Sequence, residues 1–449
     1  MKNSKINITL LLILTLSSTL LFAANGYNVS FSQPISGEIN LDFDLENYNV
    51  EQITKNGVTY STINFENSVT TKKMGFAELP FIHAAVQLSD TKNVTAEIIA
   101  NDYIEYQLDY PLLPSRGTIY RDQDPSTIPY EIANESIVDK FYPGNIAEAM
   151  EPFIIRDVRG SIVYVYPFQY NAEQNILRVF ENVTVKLSEN SSISVNPLNT
   201  TPKRITKAMN SLYRSVFINY NETRFEHELD EFGSILVIYT PRDADAIAPY
   251  IEWKREKGFT VYTEEVATGT NVTSLVSTQF ASHDDILYVQ LVGDWNDISG
   301  TSISGTATDP TLGCLVGGDN YPDLIVGRFS ASYAGQVTIQ VDKAIGYEKT
   351  PEIGGDWYSK GLGIGSEQGA GIGDDGEADY IHIDVIKDDK LLPFTYTEVA
   401  EAYQYPSQTL VSGPVNTGLT IINYCGHGST TSWVTSGFNN TSVNNLSNG

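Results

Sequence analysis

A single histidine between two glycines, Gly426-His427-Gly428, closes the run Thr420-Ile421-Ile422-Asn423-Tyr424-Cys425. The apolar and β-branched residues predict a buried strand over 420–424, with the histidine on the turn at its end. Imidazole exchanges a proton near neutral pH, which suits general acid–base chemistry. Flanking glycines let backbone N–H groups approach a substrate closely. The pattern is short, and a turn histidine with a satisfied hydrogen bond is the competing reading. The other four histidines, His83, His227, His283 and His382, have less site-like surroundings.

Three further groups carry chemistry. Glu367 follows the strand-like Gly361-Leu362-Gly363-Ile364-Gly365. A carboxylate there could orient the His427 imidazole and stabilise its cation, or be an exposed loop acid. The run Asp374-Asp375-Gly376-Glu377-Ala378-Asp379 opens the helix that carries His382. Helix capping explains most of these acids, while Asp379 could bind a cationic substrate group. Asp319 and Asp323 sit in the tight loop Gly317-Gly318-Asp319-Asn320-Tyr321-Pro322-Asp323. With Asp294 from a neighbouring strand end they form either an oxygen cage for Ca²⁺ or a solvated turn. Cys425 lies too near His427 in sequence for a nucleophile–base pair and reads, like Cys314, as a small buried residue.

The elements that must position these groups fall into two patterns. From residue 25 to 192 the chain holds short β-type runs such as Ser161-Ile162-Val163-Tyr164-Val165-Tyr166, without helical periodicity. That predicts an all-β sandwich-like domain. Residues 193–231 read as an exposed connection with a short helix over 209–220 and a cleavable stretch at Arg224. From 232 to 449 strands alternate with helices: strands at 235–239, 259–263, 286–292, 324–327, 361–365 and 420–424, helices at 243–257, 272–282, 336–347 and 377–391. This alternation predicts an α/β domain with a mostly parallel sheet. Active sites in such sheets lie beyond the carboxyl ends of strands, where Asp294, Glu367 and His427 fall.

The 449 residues exceed one ordinary domain, and 41% hydrophobic residues suffice for real cores. A net charge of −27 argues against nucleic acid and anionic membranes as partners. Two cysteines make no disulfide framework. Lys2 and Lys5 precede an apolar run, and Ala23-Ala24 follows it, as in a secretory signal peptide over 1–24. A membrane anchor is the alternative, but the run is short and interrupted by serines and threonines. No later stretch is long enough to span a bilayer, so an extracytoplasmic protein, secreted or at the cell surface, is expected.

Asn423-Tyr424-Cys425-Gly426-His427-Gly428-Ser429, followed by Trp433, resembles the gingipain family of cysteine peptidases, which is related in fold to caspases and legumains. Other ordered motifs support the resemblance. They are Leu291-Val292-Gly293-Asp294, Val316-Gly317-Gly318-Asp319-Asn320-Tyr321, Ile325-Val326-Gly327-Arg328-Phe329-Ser330 and Ser366-Glu367-Gln368-Gly369. Gly376-Glu377-Ala378-Asp379-Tyr380-Ile381-His382 follows these, and Gly75-Phe76-Ala77-Glu78-Leu79-Pro80 matches the family's β-rich propeptide. Nearly the whole chain is covered.

The resemblance implies a secreted precursor with a propeptide that inhibits the enzyme intramolecularly, and a caspase-like peptidase domain acting on protein or peptide substrates. It implies His427 as catalytic histidine, Glu367 as its orienting acid and the Gly428 N–H in the oxyanion hole. Asp379 matches the residue that binds the P1 side chain in Arg- and Lys-specific members, and Trp433 joins it as a substrate-binding candidate. Asp294, Val316, Asp319, Tyr321 and Asp323 match a calcium site, and Glu377 and His382 a second calcium-associated region. The family's nucleophilic cysteine falls a few tens of residues after the Gly-His-Gly turn, past Gly449. The chain is therefore expected to be a truncated peptidase, inactive as it stands. Two rivals are a sortase-like transpeptidase of a secretion system and a non-catalytic calcium-binding surface module.

Overall fold

The computed structural model describes residues 26–65, 68–120, 123, 125–190, 192, 194–199, 204–225, 227–229, 233–368, 377–403 and 407–448. The leader expected over 1–24 and the acids Asp374 and Asp375 lie outside them.

The first half is built from antiparallel strands. β1 (Tyr27–Ser32), β2 (Glu38–Leu45), β3 (Val69–Thr70), β4 (Pro80–Gln87), β5 (Asn93–Gln107), β6 (Ala147–Ala149), β7 (Phe153–Ile155), β8 (Val158–Val165), β9 (Phe168–Asn171) and β10 (Ile176–Asn190) form two five-stranded sheets. One runs β1-β2-β10-β9 with β5 also on β10; the other runs β3-β4-β8-β6 with β7 also on β8. Both feed one core. Leu41 and Phe43 of β2, Ile82 and Val86 of β4, Val163 and Val165 of β8, and Val183, Val185 and Leu187 of β10 all pack into it. Alternate residues point inward, as a half-buried strand requires.

The connection is less exposed than its composition predicts. α1 (Lys207–Val216) starts at Thr206, whose hydroxyl accepts the Met209 N–H. Leu198 and Ile205 are buried. Arg224 itself is less exposed than expected: its guanidinium forms two hydrogen bonds to Asp90, at 3.0 and 3.2 Å, and its side chain is 15% exposed, while Asn221, Glu222 and Thr223 beside it are exposed.

The second half holds two parallel sheets. β11 (Ser234–Tyr239), α2 (Ala244–Glu256), β12 (Val261–Glu265), α3 (Thr273–Ser282), β13 (Ile286–Val292), β14 (Ile325–Phe329) and α4 (Ala334–Lys349) make the first, with strand order β12-β11-β13-β14. Ile235 and Val237 of β11 face α2 and α4, while Leu236 and Ile238 face the α3 side, so an unbroken apolar run is buried on both faces. β15 (Lys360–Gly365), α5 (Asp379–Ile386), β16 (Glu398–Tyr403), α6 (Gln408–Thr417) and β17 (Ile421–Cys425) make the second, in the order β16-β15-β17. β16 and α6 have no counterpart in the sequence reading. α5 is shorter than the helix expected over 377–391 and passes into a π-helical turn, Lys387–Leu391. Leu315 and Val316 lie in a loop.

Candidate active site

The glycines of β15 decide how the site is assembled. Leu362 and Ile364 point into the core, and Gly361, Gly363 and Gly365 line the opposite face. α5 comes down onto that glycine stripe. A Cβ at Gly365 would stand 2.5 Å from the Tyr380 Cα, and one at Gly363 2.5 Å from the Ile383 Cγ2. The first residue of α5, Asp379, is thereby held over the end of β15 and is 6% exposed. Its carboxylate accepts a hydrogen bond from the Ser366 hydroxyl at 2.7 Å and one from the Cys425 thiol at 3.4 Å. Its N–H donates to the Gln368 carbonyl, and the Tyr380 N–H to that of Ser366.

β15 and β17 pair in parallel with Gly365 opposite Cys425. Glu367 and His427 each follow that pair by two residues, so they leave neighbouring strands at the same carboxyl end, and both are exposed. The turn that presents His427 is pinned through its carbonyl, which accepts the Tyr424 hydroxyl at 2.6 Å and the Val434 N–H at 2.9 Å. A Cβ at Gly426 would collide with the Thr435 hydroxyl, so this glycine permits the fold-back. Gly428 has open space where a Cβ would stand. Trp433 is half-buried under the turn, stacked on Tyr424 at 5.3 Å and packed on Phe438 at 5.6 Å. Its place here is support of the His427 turn.

The acidic candidates divide into separate groups. Glu377 and His382 meet, with Nδ1 2.6 Å from Oε1. Asp294 stands beyond the carboxyl end of β13, capping its own turn through the Asn296 N–H and accepting the Ser332 hydroxyl. Asp323 precedes β14 at the opposite end, because Tyr288 pairs with Ile325. A strand as long as β13 spans roughly 20 Å, whereas Ca²⁺ takes its oxygens at about 2.3–2.6 Å. Asp294, Val316, Asp319, Tyr321 and Asp323 therefore do not surround one ion in this structure. The Asp323 carboxylate already accepts the N–H groups of Leu315, Val316 and Arg156, and that of Asp319 accepts those of Ile154 and Tyr321. Burial raises the Asp323 carboxyl above the ordinary aspartate range, against the opposing pull of these N–H donors. Burial, reinforced by Asp323 and Asp319, also raises the Cys314 thiol, away from the reactive thiolate. Among the described residues no group of three or more His, Cys, Asp or Glu side chains is placed to hold a metal.

Two arginines given no role in the sequence reading organise the strand ends of the first parallel sheet. Arg242 binds Asp243 and Asp297 and the carbonyls of Ala331 and Ser332. Arg328 forks onto Asp309 at 2.7 and 2.8 Å and reaches the carbonyls of Gly293, Asp294 and Ile298. Their signal was the strand-end position of Pro241-Arg242-Asp243 and of Gly327-Arg328.

Residues 30–226 match the family model described as Propeptide_C25, and residues 229–449 match the model described as peptidase family C25. Gingipain R2 of Porphyromonas gingivalis is 31% identical over 418 residues, which cover 91% of this chain and 56% of the relative. Lys-gingipain of the same organism is 24% identical over 458 residues, 94% of this chain and 25% of the relative. The crystal structure of the Arg specific cysteine proteinase gingipain R aligns with a TM-score of 0.46 and 30% identity, over 48% of this chain and 52% of that one. The chain spans about half the length, or less, of these curated relatives.

Proposed function

The chain belongs to peptidase family C25, with the family's propeptide ahead of the peptidase, and on that basis we propose that it is the precursor of a secreted cysteine endopeptidase. The observation that supports the reading is the β15–β17 register, which ends two parallel neighbouring strands together, Glu367 and His427 each following by two residues.

In the complete enzyme a cysteine thiolate attacks the scissile carbonyl carbon, and the resemblance puts that cysteine past Gly449. The C–N bond breaks as the His427 imidazolium gives its proton to the leaving amine nitrogen. Water then cleaves the thioester, returning a proton to His427. Glu367 orients the imidazole and favours its cation. The Gly428 N–H faces the oxyanion, and the open space at this glycine suits close approach. Asp379 binds a basic P1 side chain, whose cation would replace the weak Cys425 thiol donor. The names of the relatives, one arginine-specific and one Lys-gingipain, agree with a basic P1. Residues 1–24 would direct export, and no helix among the described residues is long and apolar enough to cross a membrane. Calcium has no step in this chemistry.

The test uses the full-length gene product and fluorogenic peptides with Arg, Lys or a neutral residue at P1. His427→Ala is expected to lower kcat/KM by about 10²–10⁴-fold. Glu367→Gln should lower it less and shift the acid limb of the pH profile. Undiminished hydrolysis by His427→Ala would sink the peptidase reading, and equal rates on all three peptides would remove the role of Asp379.

A further inference from the structure

A buried hydroxyl joins the two acids of the candidate site. Ser366 follows the last residue of β15 and is 5% exposed. Its Oγ lies 2.7 Å from the Asp379 Oδ2 and accepts the Gln368 N–H at 3.1 Å. A backbone N–H can only donate, so the hydroxyl proton goes to the carboxylate. The same turn closes the amino end of α5. Ala378, at the N-cap, makes no side-chain hydrogen bond. The carbonyls of Gln368 and Ser366 instead take the N–H groups of Asp379, at 2.8 Å, and Tyr380, at 3.0 Å. Turn and helix start are thereby tied through both side chain and main chain. Glu367, which is exposed, sits between the two residues so held.

The oxygens of Asp379 meet donors from neighbouring strand ends, and the donors differ in strength. Oδ2 faces the Ser366 hydroxyl beyond β15, and Oδ1 faces the thiol of Cys425, the last residue of β17, at 3.4 Å. A hydroxyl bound to a carboxylate makes a short, charge-assisted bond, whereas a thiol is a weak donor. The protein therefore keeps Oδ2 and yields Oδ1 to an incoming cation. With Oδ2 held, the carboxylate plane cannot swing about the Cβ–Cγ bond without breaking its stronger bond. α5 itself rests on the bare Gly365, so helix and carboxylate are located from both sides.

We infer that Ser366 is a positioning residue of the proposed peptidase. Through one hydroxyl it aims the Asp379 carboxylate at the P1 cation and steadies the turn that carries Glu367. Selectivity for a basic P1 residue and orientation of the His427 imidazole then depend on the same buried group. The inference rests on the peptidase reading, in which Asp379 meets the P1 side chain and Glu367 the imidazole. Ser366 acts through those two groups, and misplacing such groups by about 1 Å costs up to about 10²-fold in rate.

The experiment measures kcat/KM of the full-length gene product, across pH, on peptides with Arg, Lys or a neutral residue at P1. Ser366→Ala is expected to lower the ratio of basic to neutral rates by about tenfold. It should also move the acid limb of the pH profile in the same direction as Glu367→Gln, by a smaller amount. A merely structural role would lower all three rates in parallel and leave the ratio and the limb in place. A folded Ser366→Ala enzyme with the ratio of the parent overturns the inference, and an unmoved acid limb overturns the tie to Glu367. If Ser366→Ala does not fold, Ser366→Cys decides in its place. It is close to serine in shape but has a weak donor, so its ratio should also fall, and an unchanged ratio overturns the inference. Equal rates of the parent on all three peptides would remove the role of Asp379 and this inference with it. A selective parent beside an equally selective Ser366→Ala removes this inference alone.

Discussion

Gly365→Ala isolates the contact that sets Asp379 over the strand end. The new Cβ would stand 2.5 Å from the Tyr380 Cα, 2.7 Å from its N and 3.0 Å from the Asp379 carbonyl carbon. Carbon atoms rest at about 3.5–4.0 Å, so the start of α5 must retreat by roughly 1 Å. Every atom in the way is backbone, and no rotamer change relieves it. Overpacking of this kind costs about 1–3 kcal/mol, and rigid neighbours place this case at about 3. The retreat also loosens the bond from the Ser366 hydroxyl to Asp379, now 2.7 Å. Gly363→Ala is the control. Its first collision, also 2.5 Å, is with the Ile383 Cγ2, a side-chain methyl rather than backbone, so a smaller cost of about 1–2 kcal/mol is expected. Urea unfolding followed by tryptophan fluorescence is the assay, because all four tryptophans, Trp253, Trp295, Trp357 and Trp433, lie in the peptidase half. In the active enzyme Gly365→Ala should also lower kcat/KM for basic P1 peptides more than for neutral ones. A Gly365→Ala protein as stable as the parent, or less perturbed than Gly363→Ala, would refute the reasoning.

Gly346 lies within α4 with nothing inside 4 Å of its missing Cβ, so Gly346→Ala should stabilise the same transition by about 0.5–1 kcal/mol; a loss would mean the helix face is not open. Burial, partly offset by Arg156 and Tyr213, pushes the Asp157 carboxyl up from 3.8 to about 6. The folded state therefore holds this proton more tightly than the unfolded chain. Its contribution is fully present below pH 3.8 and is lost as pH rises through about 6, a change of about 3 kcal/mol. Asp157→Asn should flatten that window in denaturation curves recorded between pH 4 and 7, and an unchanged slope would contradict it. Because N–H donors already face the carboxylates of Asp319 and Asp323, millimolar Ca²⁺ should leave the Tm of the uncut chain unchanged; a concentration-dependent rise would restore these acids as a cage.

Local pattern made much of the second half readable. Continuous apolar runs at β11 and β13 can only be strands buried on both faces, and the helices between them are amphipathic. β16 and α6 escaped for local reasons. Glu398 and Glu401 interrupt any apolar alternation in β16, and α6 carries Gly413 and Pro414, which lower helix propensity. Packing of Val411 and Ala402 into the shared core overrides both. Arg224 looked exposed because its neighbours are polar, and only Asp90, far off in sequence, shows otherwise.

The Gly-His-Gly turn, the period-two glycines of β15 and the change from β-rich to alternating α/β character belong to the sequence itself, since each rests on neighbours within a few residues. The pairing of Gly365 with Cys425, which brings together the strand ends that lead to Glu367 and His427, joins segments sixty residues apart, and no local preference encodes it. The same holds for the acids of the 317–323 loop. Their composition suits a cation or a solvated turn equally well, and the choice falls to what approaches in three dimensions, the N–H groups of Ile154 and Arg156. Side-chain type sets what a residue can bind; the folded chain sets which partner reaches it first, because hydrogen bonds and carbonyl sockets act only at contact distance.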